Sequence, residues 1–236
     1  DEVVLLGVAK GPPRKAGFEQ LYLDDESRPL PVPAEHQTAL RLIRDDADTG
    51  ELKLVSRSMK ELRYAMKVFR GYRETRKISI FGSARTPAEH PDYQAAVEFS
   101  RRISDSGWMV ITGAGDGIMR AGHEGPGRAG SFGVAIRLPF ETTANEIIAG
   151  DKKLITFRYF FTRKLMFVAH SHAVALFPGG FGTHDEGFEV LTLIQTGKAP
   201  VVPVVMLDAP GGRYWRDWHE YVRGQLLATR MISPED

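Results

Sequence analysis

Chemistry in this 236-residue chain concentrates around one carboxylate, Glu186, and the glycines just before it. The stretch 178–183 reads PGGFGT, which brings Gly179, Gly180 and Gly182 together ahead of Thr183. An apolar run of strand character, AVALF, precedes it, and an apolar-rich helical pattern follows. Strand, glycine loop and helix in that order turn backbone N–H groups and a helix N-terminus toward an anion, so a phosphate is the expected ligand. Glycine is required because the backbone must approach the ligand with no Cβ in the way. The spacing leaves two readings of Glu186. With Thr183 three residues before it, Glu186 completes a capping box, and spacing taken alone favours this reading. Yet Val190 and Leu193 follow at i+4 and i+7, which places the carboxylate on an apolar face. Desolvation there would make it a candidate catalytic group.

The nine residues PGGFGTHDE resemble the P-G-G-x-G-T-x-x-E signature of the LONELY GUY family, the cytokinin-riboside 5'-monophosphate phosphoribohydrolases. Many members once carried the label lysine decarboxylase. FGSAR at 81–85, GAGDGIM at 113–119 and FFTRKLMF at 160–167 extend the resemblance from about Lys77 to about Val205. His184 departs from the usual leucine, and Asp185 from a common second glutamate. The resemblance implies hydrolysis of the N-glycosidic bond of a nucleoside 5'-monophosphate, releasing adenine or an N6-substituted adenine and ribose 5-phosphate. It implies Arg163 and Glu186 as the catalytic pair. Substrate binding would fall to Gly82, Ser83, Gly113, Gly115, Lys164, Gly179, Gly180, Gly182 and Thr183. No metal and no organic cofactor are required, and a homodimer or larger homo-oligomer is expected. Three alternatives stand beside this reading. The first is a general nucleotide 5'-monophosphate nucleosidase. The second is a non-catalytic carrier of a nucleotide or pterin-type cofactor. The third, an amino-acid decarboxylase, would need pyridoxal phosphate on a lysine Schiff base, and Lys164 is the lysine within the motifs.

The elements that must position these residues alternate along the chain. Residues 1–33 read as an irregular arm punctuated by GPPRKAG and RPLPVP. Helices are expected over 34–47 and 51–72. The second carries an apolar stripe of Met59, Leu62, Met66 and Phe69 beside a basic stripe of Lys60, Arg63, Lys67 and Arg70, read as a solvated face. Strands follow at 78–81, in WMVITG, in SFGVAIRLPF, in DKKLITF, at 173–177 and in VVPVVML. Helices are expected over 91–105, from near Ile118, over 159–169, after the glycine loop, and over 213–227. Residues 141–150 read as a loop covering the site. Repeated β-α units imply a Rossmann-like, doubly wound parallel sheet flanked by helices, with an N-terminal helical extension. The expected division is 1–76 for arm and extension and 77–236 for the catalytic domain. Gly82 and Ser83 then fall at the carboxyl end of a strand, where open parallel sheets bind ligands. Gly113–Gly117 forms a second wall; its G-x-G-x-G spacing and the lack of a following acid argue against a nicotinamide site.

Composition narrows the remaining classes. A net charge of +1 implies no nucleic-acid partner, and the basic stripe lacks interleaved surface aromatics. With no cysteine, disulfides and thiolate chemistry are excluded, which fits a cytoplasmic protein. No apolar run is long enough for a membrane span, and the first residues lack a signal-peptide layout. His123, His170, His172 and His184 form no H-E-x-x-H pattern and read as structural. A Walker loop and a G-x-S-x-G elbow are also missing. The apolar density at 159–169 and along the 59–69 stripe is expected to seat a second subunit.

Overall fold

The apolar runs form strands β1 (Val4–Leu5), β2 (Lys77–Phe81), β3 (Met109–Thr112), β4 (Ser131–Ile136), β5 (Leu154–Phe157), β6 (Ala173–Leu176) and β7 (Val204–Met206). In the computed structural model, which describes residues 4–5, 42, 45–139 and 144–235, they make one sheet in the order β1-β7-β6-β2-β3-β4-β5. β2 to β7 are all parallel, while β1 joins the β7 edge antiparallel, with Val4 opposite Met206. The central strands β2, β3 and β6 are buried along their whole length. That is why β3 and β6 read as near-continuous apolar runs rather than as alternating ones, while β2 buries Lys77 and Ser79 among its apolar residues. Most of the arm and of the 34–47 helix expected from the sequence lies outside the described residues.

Among the described residues, helices α1 (Thr49–Arg70), α2 (Pro91–Asp105), α3 (Ile118–Glu124), α4 (Phe160–His170), α5 (Phe181–Gln195) and α6 (Tyr214–Tyr221) flank the sheet, the last running on into a π-helical turn, Val222–Leu227. They cover both faces of the sheet. One core gathers Phe132, Val134 and Leu176 with Phe69 of α1, Phe167 of α4, Val190 of α5 and Trp215 of α6. The other gathers Ile78, Ile80 and Val110 with Tyr93 of α2 and Ile118 of α3. This is a doubly wound, Rossmann-like α/β fold.

Chain order decides where a ligand can sit. From β2 the strands run outward through β3 and β4 to β5, then the chain crosses back and places β6 on the opposite side of β2. The loops leaving β2 and β6 therefore diverge, and a crevice opens between them at the carboxyl ends of the strands. The PGGFGT and FGSAR motifs occupy those two loops.

α1 is keyed to the sheet rather than set apart from it. Asp48 and Glu51 close its N-terminus with a capping box, each bond 2.8 Å long. Of the apolar stripe, Phe69 is buried and stacks on Phe132 and His170, while Leu62 and Met66 pack at the core margin. Met59 stays 58% exposed. Lys60, Arg63, Lys67 and Arg70 all face outward. Glu61 reaches the start of α4, accepting from the Arg158 N–H at 2.8 Å and from the Thr162 hydroxyl at 2.7 Å. The helix that carries Arg163 is thus anchored by a residue about a hundred positions earlier.

Candidate functional site

Three βα loops meet at the crevice and are stitched together by backbone bonds. The Ser83 N–H donates to the Pro178 carbonyl at 3.0 Å, and the Ile118 N–H to the Ser83 carbonyl at 3.0 Å. Two glycines border close approaches here, and at Gly179 the neighbour includes backbone. A Cβ on Gly179 would run into the Thr183 side chain and come within 2.9 Å of the Ser83 nitrogen. One on Gly113 would lie 2.5 Å from Arg163 Nη2. Between the loops opens a cavity of about 1470 Å³. Gly82, Ser83, Gly113 and Gly115 line one side of it; Gly179, Gly180, Gly182 and Thr183 line another, with Arg163 and Glu186 between them.

The second loop holds a strained residue that its sequence does not announce. Ala114 sits at φ +64°, a left-handed conformation that costs a non-glycine residue roughly 1–2 kcal/mol. Hydrogen bonds hold it there: its N–H donates to Thr112 Oγ1 at 3.0 Å, and its carbonyl accepts from the Asn145 N–H at 2.8 Å. His123 braces the same region. Its Nε2 lies 3.0 Å from both Thr112 Oγ1 and the Phe132 carbonyl, so Nε2 carries the proton. Nδ1 accepts from Asn145 Nδ2 at 3.2 Å, and that amide also donates to the Gly115 carbonyl. Burial lowers the imidazole's pKa, with the bonds to Phe132 and Asn145 opposing, and the ring is neutral.

The start of α5 overturns the capping-box reading. Gly180, not Thr183, is the N-cap, and with no side chain it offers the first turn no acceptor. Thr183 already lies inside the helix, its N–H bonded to the Gly180 carbonyl at 3.0 Å. Glu186 is one turn further in, where it cannot reach back to cap. It is instead 6% exposed, on the cavity wall. Desolvation pushes its pKa from the ordinary 4.5 to about 7; Arg163 and Lys164 pull downward, and Glu189 and Asp185 add to the rise.

Arg163 projects from the first turns of α4. Its Nε donates to the Val134 carbonyl at 2.9 Å, and its guanidinium lies 5.1 Å over the Phe167 ring. Nη1 stands 3.9 Å from Glu186 Oε1, an ion pair too long for a hydrogen bond. Lys164 is directed elsewhere. Its ammonium bridges Asp185 at 2.8 Å and Glu189 at 2.7 Å, locking α4 to α5, and it does not line the cavity. Desolvation alone would lower its pKa, but the bonds to those two carboxylates outweigh it and hold the pKa up.

Sequence reasoning missed several residues at the site. Arg85, Arg137 and Arg158 are exposed arginines on the cavity wall. Arg137 and Arg158 come directly after the last residues of β4 and β5, and Arg85 comes shortly after β2; a cation just past an apolar run was the available signal. Tyr214, which bonds to the Gly179 carbonyl, carried no such signal. Of the other histidines, His172 accepts from the Lys77 N–H at 3.2 Å, and His170 is stacked under Phe69. Among the described residues, no group of three or more His, Cys, Asp or Glu is placed to hold a metal, and no helix is long and apolar enough to cross a membrane.

Fold and site together define an α/β protein with a glycine-lined cavity at the switch point of its parallel sheet. The family described as "possible lysine decarboxylase" matches residues 113–236, more than half of the chain, and the chain belongs to this LONELY GUY-type family. Among solved structures, similarity is found to the molybdenum cofactor carrier protein of Chlamydomonas reinhardtii. It is 21% identical with a TM-score of 0.45, covering 64% of this chain and 86% of that one. The protein TM1055 is 19% identical with a TM-score of 0.39, covering 50% and 70%. Neither likeness bears on what this chain binds. Over 47 residues the chain is also 51% identical to UvrABC system protein C of Pseudomonas syringae pv. syringae (strain B728a). It is 49% identical to that of Pseudomonas savastanoi pv. phaseolicola (strain 1448A / Race 6). These overlaps take in 20% of this chain and span 8% of the length of those relatives.

Proposed function

We propose that the protein hydrolyses the N-glycosidic bond of adenosine 5'-monophosphate and its N6-substituted forms, yielding free base and ribose 5-phosphate. The observation that carries this reading is Glu186, buried on the wall of a glycine-lined cavity, close to Arg163, with a carboxyl that titrates near 7. Cleavage of the C1'–N bond builds positive charge on the ribose, and a carboxylate beside it stabilises that state more than the ground state. A group with a pKa near the working pH can also take the proton of the attacking water. Water then adds its oxygen to C1', the bonding pair leaves with the base nitrogen, and the base gains a proton. The 5'-phosphate would rest on the uncapped N-terminus of α5, held by Gly179, Gly180, Gly182 and the Thr183 hydroxyl. Gly82, Ser83, Gly113 and Gly115 would enclose the sugar and base. Arg163 stays protonated, and it orients phosphate, ribose or Glu186 as a fixed cation. Lys164 is unsuited to the Schiff base of a decarboxylase, because its two carboxylate partners keep it charged.

In this reading residues 77–236 are the catalytic unit, with 1–76 as its arm and helical extension. Phe160 and Phe161 of α4 are 53% and 56% exposed, and with Met59 they support a homodimer or larger assembly, which light scattering would register as at least twice the chain mass. The deciding experiment incubates the protein with AMP, isopentenyladenosine monophosphate, other nucleoside monophosphates and adenosine, then resolves the released bases by chromatography. Base release from the monophosphates and little from adenosine is expected. AMP that binds and is recovered intact would identify a carrier instead, and equal turnover of AMP and adenosine would remove the phosphate role of PGGFGT.

A further inference from the structure

A peptide unit between two glycines can turn over at little steric cost, because both flanking residues accept most backbone conformations. Gly179–Gly180 is such a unit, and it borders the cavity. One of its orientations presents the Gly180 N–H to a ligand. The reverse orientation presents the Gly179 carbonyl oxygen, which repels an anion. Something outside the loop has to choose.

Tyr214, at the start of α6, makes that choice geometrically. Its hydroxyl lies 2.5 Å from the Gly179 carbonyl and donates to it. His184 Nε2 lies 2.6 Å from the same phenol oxygen. A phenol has one proton, already given to the carbonyl, so the imidazole donates from Nε2. Burial raises the Tyr214 pKa, opposed by the bond to Gly179, and the donor persists across the neutral range. The His184 ring is held in turn, stacked on Tyr214 at 5.8 Å and on Phe188 at 6.2 Å, with Trp215 at its edge. The peptide is trans, so the Gly180 N–H points opposite to the Gly179 carbonyl. Tyr214 does not line the cavity, whereas Gly179 and Gly180 do; a carbonyl drawn to Tyr214 leaves the N–H facing the open side.

We propose that Tyr214 and His184 are positioning residues that lock the Gly179–Gly180 peptide with its N–H aimed at the substrate's phosphate. The inference rests on the phosphate reading given above and assigns its control to Tyr214, outside the signature, and to His184, at one of its unspecified positions. His184 stands where the resemblance expects leucine, so the second link of the clamp belongs to this chain rather than to the signature.

The test uses the full chain, with ribose 5-phosphate as the binding probe in calorimetry and with AMP and adenosine in kinetics. Tyr214→Phe is expected to weaken ribose 5-phosphate binding about tenfold and to raise the KM for AMP by a similar factor, with kcat changed less than about threefold. His184→Leu should weaken binding about threefold, while His184→Gln, which keeps a donor, should restore parental affinity. The KM for adenosine, which has no phosphate, should not move. Parental ribose 5-phosphate affinity in Tyr214→Phe, or an equal rise in KM for adenosine, overturns the clamp while leaving the phosphate site intact. A parent protein that binds no ribose 5-phosphate overturns both together. Circular dichroism checks each fold, and if Tyr214→Phe does not fold, the two His184 variants decide the same question.

Discussion

Glu186 and His123 are both buried and both pushed toward neutrality by desolvation, yet their surroundings differ completely. His123 has partners at both ring nitrogens, is enclosed, and braces a loop. Glu186 meets Arg163 beyond hydrogen-bond range and borders open space. A buried polar group with its bonds satisfied specifies structure. One held against a cavity with its bonding capacity in reserve is available for chemistry. The histidine stabilises the wall behind the site, whereas the glutamate weakens the fold by being there.

The contrast is broken most directly at the glutamate. Glu186→Gln should lower turnover of AMP by roughly a hundredfold or more if the carboxylate stabilises charge or activates water. Its effect on stability should have the opposite sign. Between pH 4.5 and about 7 the unfolded carboxyl is ionised while the folded one keeps its proton, so the fold binds more protons and loses stability as pH rises. The shift corresponds to roughly 3 kcal/mol, fully expressed above pH 7. Glu186→Gln should therefore melt higher than the parent at pH 8, and the difference should vanish toward pH 4. A variant that keeps parental turnover, or melts lower at pH 8, would erase the distinction between the two residues.

Arg163→Ala comes next, with a loss of turnover of about tenfold or more. It also removes the cation that pulls the Glu186 pKa down. The acidic limb of the rate profile, set by ionisation of Glu186, should move to higher pH than in the parent. A limb that stays in place would uncouple the pair.

His123→Leu should affect stability far more than chemistry. It strips partners from Thr112, Phe132 and Asn145, and buried groups left unpaired cost about 1–3 kcal/mol each. Denaturant midpoints should fall clearly, while turnover by the folded protein drops less than tenfold. The parent's pH dependence runs opposite to that of Glu186. Below about pH 6.5 the unfolded imidazole gains a proton that the folded one refuses, so stability falls as pH falls. His123→Leu should lose that acid-side slope. A variant that melts like the parent but has lost activity would place His123 in the chemistry.

Much of this protein could be read from its sequence, because short-range spacing sets local structure. Pro91 at the first helical position opens α2 where expected, and its last residue, Asp105, also agrees. The buried strands announced themselves as apolar runs, and PGGFGT and GAGDG marked the loops that line the cavity. Even the tie between signature and family was legible, since a motif of nine residues lies within one loop and the first two turns of helix. What spacing left open was the role of Glu186. That depended on whether α5 begins at Thr183 or at Gly180, and the packed helix begins at Gly180. Lys164 entered the expected site through the resemblance; in the fold it points to α5 while its neighbour Arg163 points to the cavity, a difference that spacing along the motif does not carry. Glu61 anchoring α4, Asn145 holding Ala114 and Tyr214 gripping Gly179 left no trace in the sequence. Each is a bond between residues some thirty to a hundred positions apart, whose meeting is decided by how the strands order themselves in the sheet and by which face each helix covers.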